Sequence, residues 1–203
     1  MRFWAKAKAA LVGLAFCFAA GAADAADIVA HSARLVADED GYSLSADFGV
    51  SLNRRLENAV NRGVVLYFTV DFELTRSRWY WFDQTVARQA RTFQLSYHAL
   101  TRQYRVASGA LHRNFSSLED ALRALSHPRR WRVAGRDDID ADVVYEARVR
   151  LRLDPSQMAK PFQVSALSNR DWSQSSDWLA WEFSAPEDTP PERGPANEAG
   201  GGR

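Results

Sequence analysis

The chain alternates between apolar and polar residues in three long stretches, which is the pattern of β-strands with one buried face. These stretches cover residues 42–50, 66–74 and 143–153. In the second of them the apolar positions are Leu66, Phe68, Val70, Phe72 and Leu74. Three such stretches predict antiparallel strands that bury one face in a common core.

Shorter or less regular runs predict further strands at residues 29–37, 89–98, 102–108, 130–134 and 178–184. Asp40 and Gly41 lie between two strand-like runs and predict a tight hairpin turn.

Two helical segments interrupt the predicted strands. Residues 53–62 place apolar side chains on one helical face, and Gly63 follows as a C-terminal cap. A capping box at 116–119 begins a second helix, which Pro128 ends. About eight strands and two short helices predict a mostly β fold. The expected form is a single antiparallel β-sandwich, immunoglobulin-like in the broad sense, and closure into a barrel is the alternative.

Both ends of the chain differ in composition from its middle. Residues 1–25 combine basic residues, an uncharged stretch at 9–23 and small residues before the expected cleavage after Ala25, which is typical of a secretory signal peptide. Residues 186–203 are rich in proline and glycine and lack large apolar side chains, which predicts a disordered tail. One folded domain is therefore expected at residues 27–185.

Removal of the signal peptide changes the chemistry open to the protein. It takes away Cys17, the single cysteine, so disulfides and cysteine-ligated zinc are excluded. The net charge changes from +1 to −1 because Arg2, Lys6, Lys8 and Asp24 are lost, and a balanced charge disfavours nucleic acid as a partner. No later apolar stretch is long enough to cross a membrane, so the sequence predicts a periplasmic protein without a transmembrane span after cleavage.

No catalytic or cofactor-binding motif is present in the sequence. The four histidines are not spaced at i,i+3 or i,i+4, and no nucleophile elbow, P-loop or dinucleotide fingerprint occurs. We therefore expect a protein without a cofactor that works by binding and is not an enzyme. A hydrolase site built from scattered Asp, Ser and His residues, and a purely structural role in the envelope, are the alternatives.

Three alternating aspartates, Asp138, Asp140 and Asp142, form a weak candidate for a cation site. In an extended segment they would share one face, and carboxylate oxygens suit Ca²⁺. The EF-hand pattern fails, because no glycine occupies the sixth loop position and Val149 occupies the twelfth. The alternative, which we favour, is a solvated loop that enters the strand at residue 143.

A second candidate is the row of arginines at Arg148, Arg150 and Arg152, which share one face of a predicted strand. Three guanidinium groups in line suit an anionic surface, such as lipid headgroups or an acidic partner. The alternative, which we favour, is cross-strand pairing with carboxylates such as Asp71 and Glu73.

The third candidate is a cluster of aromatic and basic side chains within residues 76–82. Its members are Arg76, Arg78, Trp79, Tyr80, Trp81 and Phe82. Alternation in an extended chain would bury one aromatic pair and expose the other, and an exposed pair beside arginine suits a contact with a partner. A strand end covered by another segment is the alternative. Among the sequence candidates this one is the preferred binding site.

Several segments of the chain resemble the DUF4390 family. They are residues 92–97, 104–106 and 151–164, followed by Trp172, Trp178 and Trp181. The similarity spans residues 28–184, and Met158 and Ala159 stand where the family has Leu-Pro. The resemblance implies an uncharacterised exported protein of Gram-negative bacteria with a periplasmic partner, such as the ectodomain of a nitrogen-regulation-type sensor kinase. It implies no activity and no catalytic residues.

Overall fold

The computed structural model describes residues 28–76, 83–168 and 172–185. The strands are β1 (Ile28–Asp38), β2 (Gly41–Val50), β3 (Leu66–Arg76), β4 (Gln84–His98), β5 (Gln103–Ser108), β6 (Leu111–Phe115), β7 (Trp131–Gly135), β8 (Val144–Leu153) and β9 (Leu179–Ser184). The helices are α1 (Arg54–Asn61), α2 (Leu118–Leu125) and α3 (Lys160–Ser168). Single 3₁₀ turns precede β8 and α3, at Arg136–Asp138 and Pro155–Gln157.

The strands form two antiparallel sheets on one hydrophobic core. The smaller sheet has the order β1-β2-β7 and the larger sheet the order β6-β5-β4-β3-β8-β9. Tyr42 of the smaller sheet meets Phe183 of the larger one edge to face, with ring centroids 5.5 Å apart. The predicted mostly β, antiparallel fold is confirmed in this sandwich-like arrangement. The strands form two separate sheets and not the single closed sheet of the barrel alternative.

The alternation along β3 determines where the core lies. Its five apolar positions from Leu66 to Leu74 are all fully buried. The neighbouring strand β8 contributes Tyr145, Ala147, Val149, Leu151 and Leu153, which are also buried. The two strands therefore form the apolar centre of the larger sheet, while their polar positions face outward.

All eight strands expected from the sequence are present. A hairpin joins β1 to β2, and its two turn residues are Glu39 and Asp40, one position before the expected pair. The structure adds β6, whose sequence Leu-His-Arg-Asn-Phe has no strict alternation. The expected number of helices was wrong, because α3 is a third one. Its serines and β-branched Val164 are weak helix formers, so propensity gives little indication of it.

Side-chain caps explain where the first two helices begin. Asn53 Oδ1 accepts a hydrogen bond from the Leu56 N–H at 2.8 Å, and Gly63, with φ +88°, follows α1 as expected. The second helix begins one residue later than the expected box, because Ser117 rather than Ser116 is the N-cap. Its hydroxyl oxygen accepts from the Asp120 N–H at 3.1 Å.

The unequal widths of the two sheets leave part of the larger one uncovered by strands. Two strands of the smaller sheet contact the larger sheet: β7 contacts β4, and β1 contacts β8 and β9. The inner faces of β5 and β6 therefore extend beyond β7, and α2 packs against these two strands. The concave surface described below lies in this corner.

Candidate functional site

A groove runs between the inner face of β4, β5 and β6, the end of α2 and the segment that leads into β7. It consists of two adjoining cavities of about 610 and 560 Å³. Both cavities are lined by Arg113, Phe115, Ala124, His127 and Arg129. Their common lining makes them one surface, which we call the cationic groove.

The sheet register explains why basic side chains enter this groove. Arg91 of β4 pairs with Val70 of β3, so it lies on the face that carries the buried core. Arg113 of β6 pairs with Val106 of β5 on the same face. Because side chains alternate across a strand, both arginines lie on the inner side of the larger sheet, where apolar residues are expected.

Arg91 has an aromatic neighbour and no anionic one. Its guanidinium carbon lies 5.0 Å from the ring centroid of Trp131, a side chain that is only 5% exposed. Among the described residues it makes no hydrogen bond or ion pair to a carboxylate. Arg91 is half-buried, and this burial lowers the pKa of its guanidinium below the usual range. A partly desolvated charge without a counter-charge favours the approach of an anion.

Arg113 is exposed and also lacks a carboxylate partner within the described ranges. Its guanidinium carbon lies 5.3 Å from the ring centroid of Phe115. The groove's carboxylate, Asp120, is already bound by Arg123 at 3.1 Å. The groove therefore offers two arginines, one on β4 and one on β6, that no carboxylate of the described residues pairs with.

The wall of the groove opposite β6 is fixed by an ion pair to the smaller sheet. Arg129 donates to Asp47 Oδ1 at 2.7 Å, and Ser32 donates to the other carboxylate oxygen at 3.0 Å. Burial tends to raise the pKa of Asp47, but the Ser32 hydroxyl, Arg129 and His127 outweigh it and hold that pKa below its usual range. Arg129 is thus a structural cation rather than a free one.

Ser126, His127 and Asp47 bring together the residue types of a hydrolase triad, but their hydrogen bonds form a helix cap. His127 Nδ1 lies 2.6 Å from the Arg123 carbonyl oxygen, so Nδ1 carries the proton and donates it there. The buried Ser126 hydroxyl donates to the same carbonyl at 3.1 Å. A protonated Nδ1 cannot accept the serine proton, so this arrangement closes the end of α2 instead of activating a nucleophile.

The row of arginines predicted from the sequence is paired across strands. Arg148 Nε donates to Glu73 at 2.8 Å, and the Nε atoms of Arg150 and Arg152 donate to Asp71 at 2.9 Å. The favoured expectation of pairing with Asp71 and Glu73 is confirmed.

Two further contacts hold the same row on the outer face of the larger sheet. The Trp178 ring stacks over Arg148 and Arg150, with 4.8 and 4.4 Å from guanidinium carbon to ring centroid. Arg152 also pairs with Asp154 at 3.4 Å. We call this set of arginines, carboxylates and indole the outer charge lattice.

The three aspartates do not lie in an extended segment, so the condition for a shared face is not met. Asp138 closes a 3₁₀ turn and accepts from the Gly135 N–H at 2.7 Å, and Asp142 has a positive φ of 65°. Asp140 pairs with Arg76 at 3.0 Å. The segment is a turn-rich loop that enters the strand at Val144, as the favoured alternative expected. Within the described residues no three His, Cys, Asp or Glu side chains are placed to hold a metal ion.

The aromatic cluster at 79–82 and Arg78 lie outside the described residues, so the contact expected there stays a prediction. The cationic groove was not found by sequence reasoning. One indication was available: the side of 89–98 that carries Phe93 and Leu95 also carries Arg91. The indole beside it lies 40 positions along the chain, on a strand of the other sheet.

The fold and the groove define the class of protein: an antiparallel two-sheet domain with a cationic, aromatic-lined concave surface. The chain belongs to the DUF4390 family, a domain of unknown function whose family model matches residues 25–182. The resemblance noted in the sequence is thereby confirmed. No curated protein and no solved structure was matched by the chain. In the described ranges no helix has the length and apolar character needed to span a membrane.

Proposed function

We propose that the chain is an exported, periplasmic interaction module that binds an acidic segment of a partner protein in the cationic groove. The observation that carries the proposal is Arg91, a half-buried guanidinium on the inner face of a sheet, which has an indole beside it and no carboxylate partner among the described residues. A partner's carboxylate would supply the missing counter-charge.

The lining of the groove supports a protein partner. Arg113 and Phe115 lie on one side and Phe93 and Arg91 toward the other, with Leu111 80% exposed at the rim. Aromatic and arginine side chains dominate the energetics of protein interfaces, because they combine large contact areas with directed hydrogen bonds. An exposed leucine beside them would be covered by an apolar side chain of the partner.

The energetic argument rests on the difference between the free and the bound protein. A partly buried cation without a partner has lost part of its hydration without a compensating charge. When a carboxylate binds it in a bidentate manner, both hydrogen bonds form in a site with reduced water contact, where they are stronger. The free protein already carries the cost of partly dehydrating Arg91, so binding of a carboxylate adds favourable interactions without paying that cost again.

The N-terminal sequence supports the exported location. Basic residues precede an uncharged stretch that ends in small residues, which is the arrangement that export machinery recognises. The partner is then a component of the cell envelope, such as the ectodomain of a membrane sensor. Fractionation of cells that express the full chain should place it in the periplasm, shortened at its N-terminus, and retention of residues 1–25 would contradict export.

Peptide display on the purified protein tests the binding proposal. A library of random heptapeptides is selected on the unchanged protein and counter-selected on Arg91→Gln. We expect enriched peptides that contain Asp or Glu and whose binding weakens as salt is raised, since exposed charge pairs are screened. Arg150→Gln is the matched control, because it removes a guanidinium that already has a carboxylate partner. The proposal is wrong if no peptide distinguishes the unchanged protein from Arg91→Gln.

A further inference from the structure

The strand β6 ends the larger sheet and borders the cationic groove. It pairs with β5 in a continuous register from Ser108↔Leu111 to Tyr104↔Phe115. In the part of the chain that the structure describes, no strand pairs with its other side. Its residues are exposed except for Phe115, which is half-buried. A row of backbone donors and acceptors therefore borders the groove on its open side.

The hairpin turn determines which backbone groups point outward. Two residues, Gly109 and Ala110, connect β5 to β6, and Gly109 has φ +59°, which fits the first central position of a type II′ turn. In such a hairpin the closing pair Ser108↔Leu111 is hydrogen-bonded, and pairs alternate from there. The outward N–H and C=O groups are consequently those of His112 and Asn114.

Edge strands are usually protected against pairing with another chain, and β1 and β6 differ in how they are protected. The outer strand of the smaller sheet, β1, has a register shift between Ala30 and Ser32, which interrupts its ladder. Strand β6 has no such shift and no proline. Its protection consists of Arg113 on the groove side, and an inward charge rejects an apolar strand. The same charge would favour a strand that places a carboxylate opposite it.

We propose that the partner's acidic segment binds in an extended conformation as a strand added to β6, with an Asp or Glu side chain beside Arg113. This rests on the proposed function and deepens it by defining the conformation and the sequence pattern of the ligand. Side chains of an added strand lie about 4.5–5.5 Å from those of β6 directly opposite. The positions two residues to either side of the carboxylate face Leu111 and Phe115, so they are apolar.

The first test modifies the ligand. A peptide from the display selection is synthesised with N-methyl groups at every second backbone nitrogen, in the two possible alternating sets, and its affinity is measured by fluorescence anisotropy. One set removes donors that face β6 and should weaken binding about tenfold or more, because several hydrogen bonds are lost together. The other set faces away and should change the affinity by about twofold or less.

The second test changes the protein. His112→Pro removes one outward N–H of β6 and should weaken the peptide about tenfold, whereas His112→Ala keeps that N–H and should not. Hydrogen exchange on the unchanged protein avoids any folding defect of the proline variant. We expect the His112 and Asn114 amides to become protected when the peptide binds.

The possible results separate strand addition from the proposed function. If both N-methylated sets bind like the parent and neither amide is protected, strand addition is wrong, while loss of binding in Arg91→Gln would leave the groove as the binding site. If no peptide depends on Arg91, both proposals are wrong. A helical bound peptide, or a dimer of this chain paired along β6, would also overturn strand addition.

Discussion

Arginines occupy both faces of the larger sheet, and the two faces differ in whether a carboxylate pairs with these arginines. On the outer face Arg148, Arg150 and Arg152 each have a carboxylate within hydrogen-bonding distance. On the inner face Arg91 and Arg113 have an aromatic ring and no carboxylate among the described residues. Arginine therefore forms ion pairs within the protein on the outer face and leaves its charge available to a ligand on the inner face.

The presence or absence of a carboxylate partner distinguishes arginines that stabilise the fold from arginines that are available to a ligand. In the outer charge lattice, Glu73 is 12% and Asp71 17% exposed, and each is shared by two arginines. Removal of Glu73 would take the carboxylate from two arginines, and removal of Asp71 would leave Arg152 with Asp154 as its remaining carboxylate, so substitution of either acid should destabilise the fold. In the cationic groove no described carboxylate pairs with Arg91 or Arg113, and substitution of either arginine should affect binding more than folding.

The largest expected effect concerns the indole beneath Arg91. Trp131→Ala removes a side chain that is 5% exposed and belongs to the core, so we expect a loss of about 3–5 kcal/mol in the free energy of unfolding. Trp131→Phe is the control, since it keeps a ring under the guanidinium and should cost clearly less. Urea denaturation measures both. Equal, small losses would show that Trp131 is not part of the core.

The second effect concerns the outer charge lattice. Asp71→Asn leaves Arg150 and Arg152 without their shared carboxylate, and we expect a loss of about 1–3 kcal/mol. The matched control is Arg88→Gln, which removes a partner of Glu73 that is 67% exposed, and it should cost less than about 1 kcal/mol. If Asp71→Asn costs no more than Arg88→Gln, the lattice is a surface feature without structural weight.

The third effect is a dependence of stability on pH. Burial tends to raise the pKa of Asp154, but hydrogen bonds from Ser156 and Gln157 and the charge of Arg152 hold that pKa below its usual range. Its contribution is therefore complete above the unfolded pKa of about 3.9 and is lost as the pH falls through the lower folded value.

Substitution of this aspartate should change the acid limb of the stability curve. In Asp154→Asn we expect about 1 kcal/mol less stability at pH 7 and a flatter decline below pH 4. Asp137→Asn, on an exposed turn, controls for the loss of one negative charge. Unfolding by urea at a series of pH values checks this. An unchanged acid limb in Asp154→Asn would mean that this carboxylate does not hold the end of β8.

The smallest effect on folding is expected at Arg91. Arg91→Gln removes a half-buried charge that no carboxylate of the described residues stabilises, so the free energy of unfolding should change by about 0.5 kcal/mol or less, or rise. Thermal unfolding of the variant measures this. A loss of 2 kcal/mol or more would identify Arg91 as a structural residue and remove the contrast between the two faces.

The alternation in the sequence was enough to predict the centre of the fold. Period-two apolar positions in β3 and β8 defined both strands and also put Arg148, Arg150 and Arg152 on the outer face opposite the acidic positions of β3. Pairing there follows from local periodicity once the two strands are neighbours. Strand β6 and helix α3 lack a strong period and depend on tertiary packing, so they were missed.

The groove could not be derived in the same way, because its parts come from distant segments and both sheets. The stacking of Arg91 on Trp131 depends on which strand of the smaller sheet lies over β4, and no spacing along the chain encodes that choice. That no described carboxylate lies beside Arg91 is also a property of the folded surroundings. In the sequence alone, Arg91 is one of many arginines.

The most direct test compares Arg91→Gln with Arg150→Gln in one experiment that measures both folding and binding. Each variant is titrated with the selected acidic peptide by calorimetry, and its free energy of unfolding is determined in urea. We expect Arg91→Gln to lose the peptide by about tenfold or more while keeping its stability, and Arg150→Gln to keep the affinity while losing stability. Loss of stability without loss of binding in Arg91→Gln would contradict the assignment of the groove as the binding site.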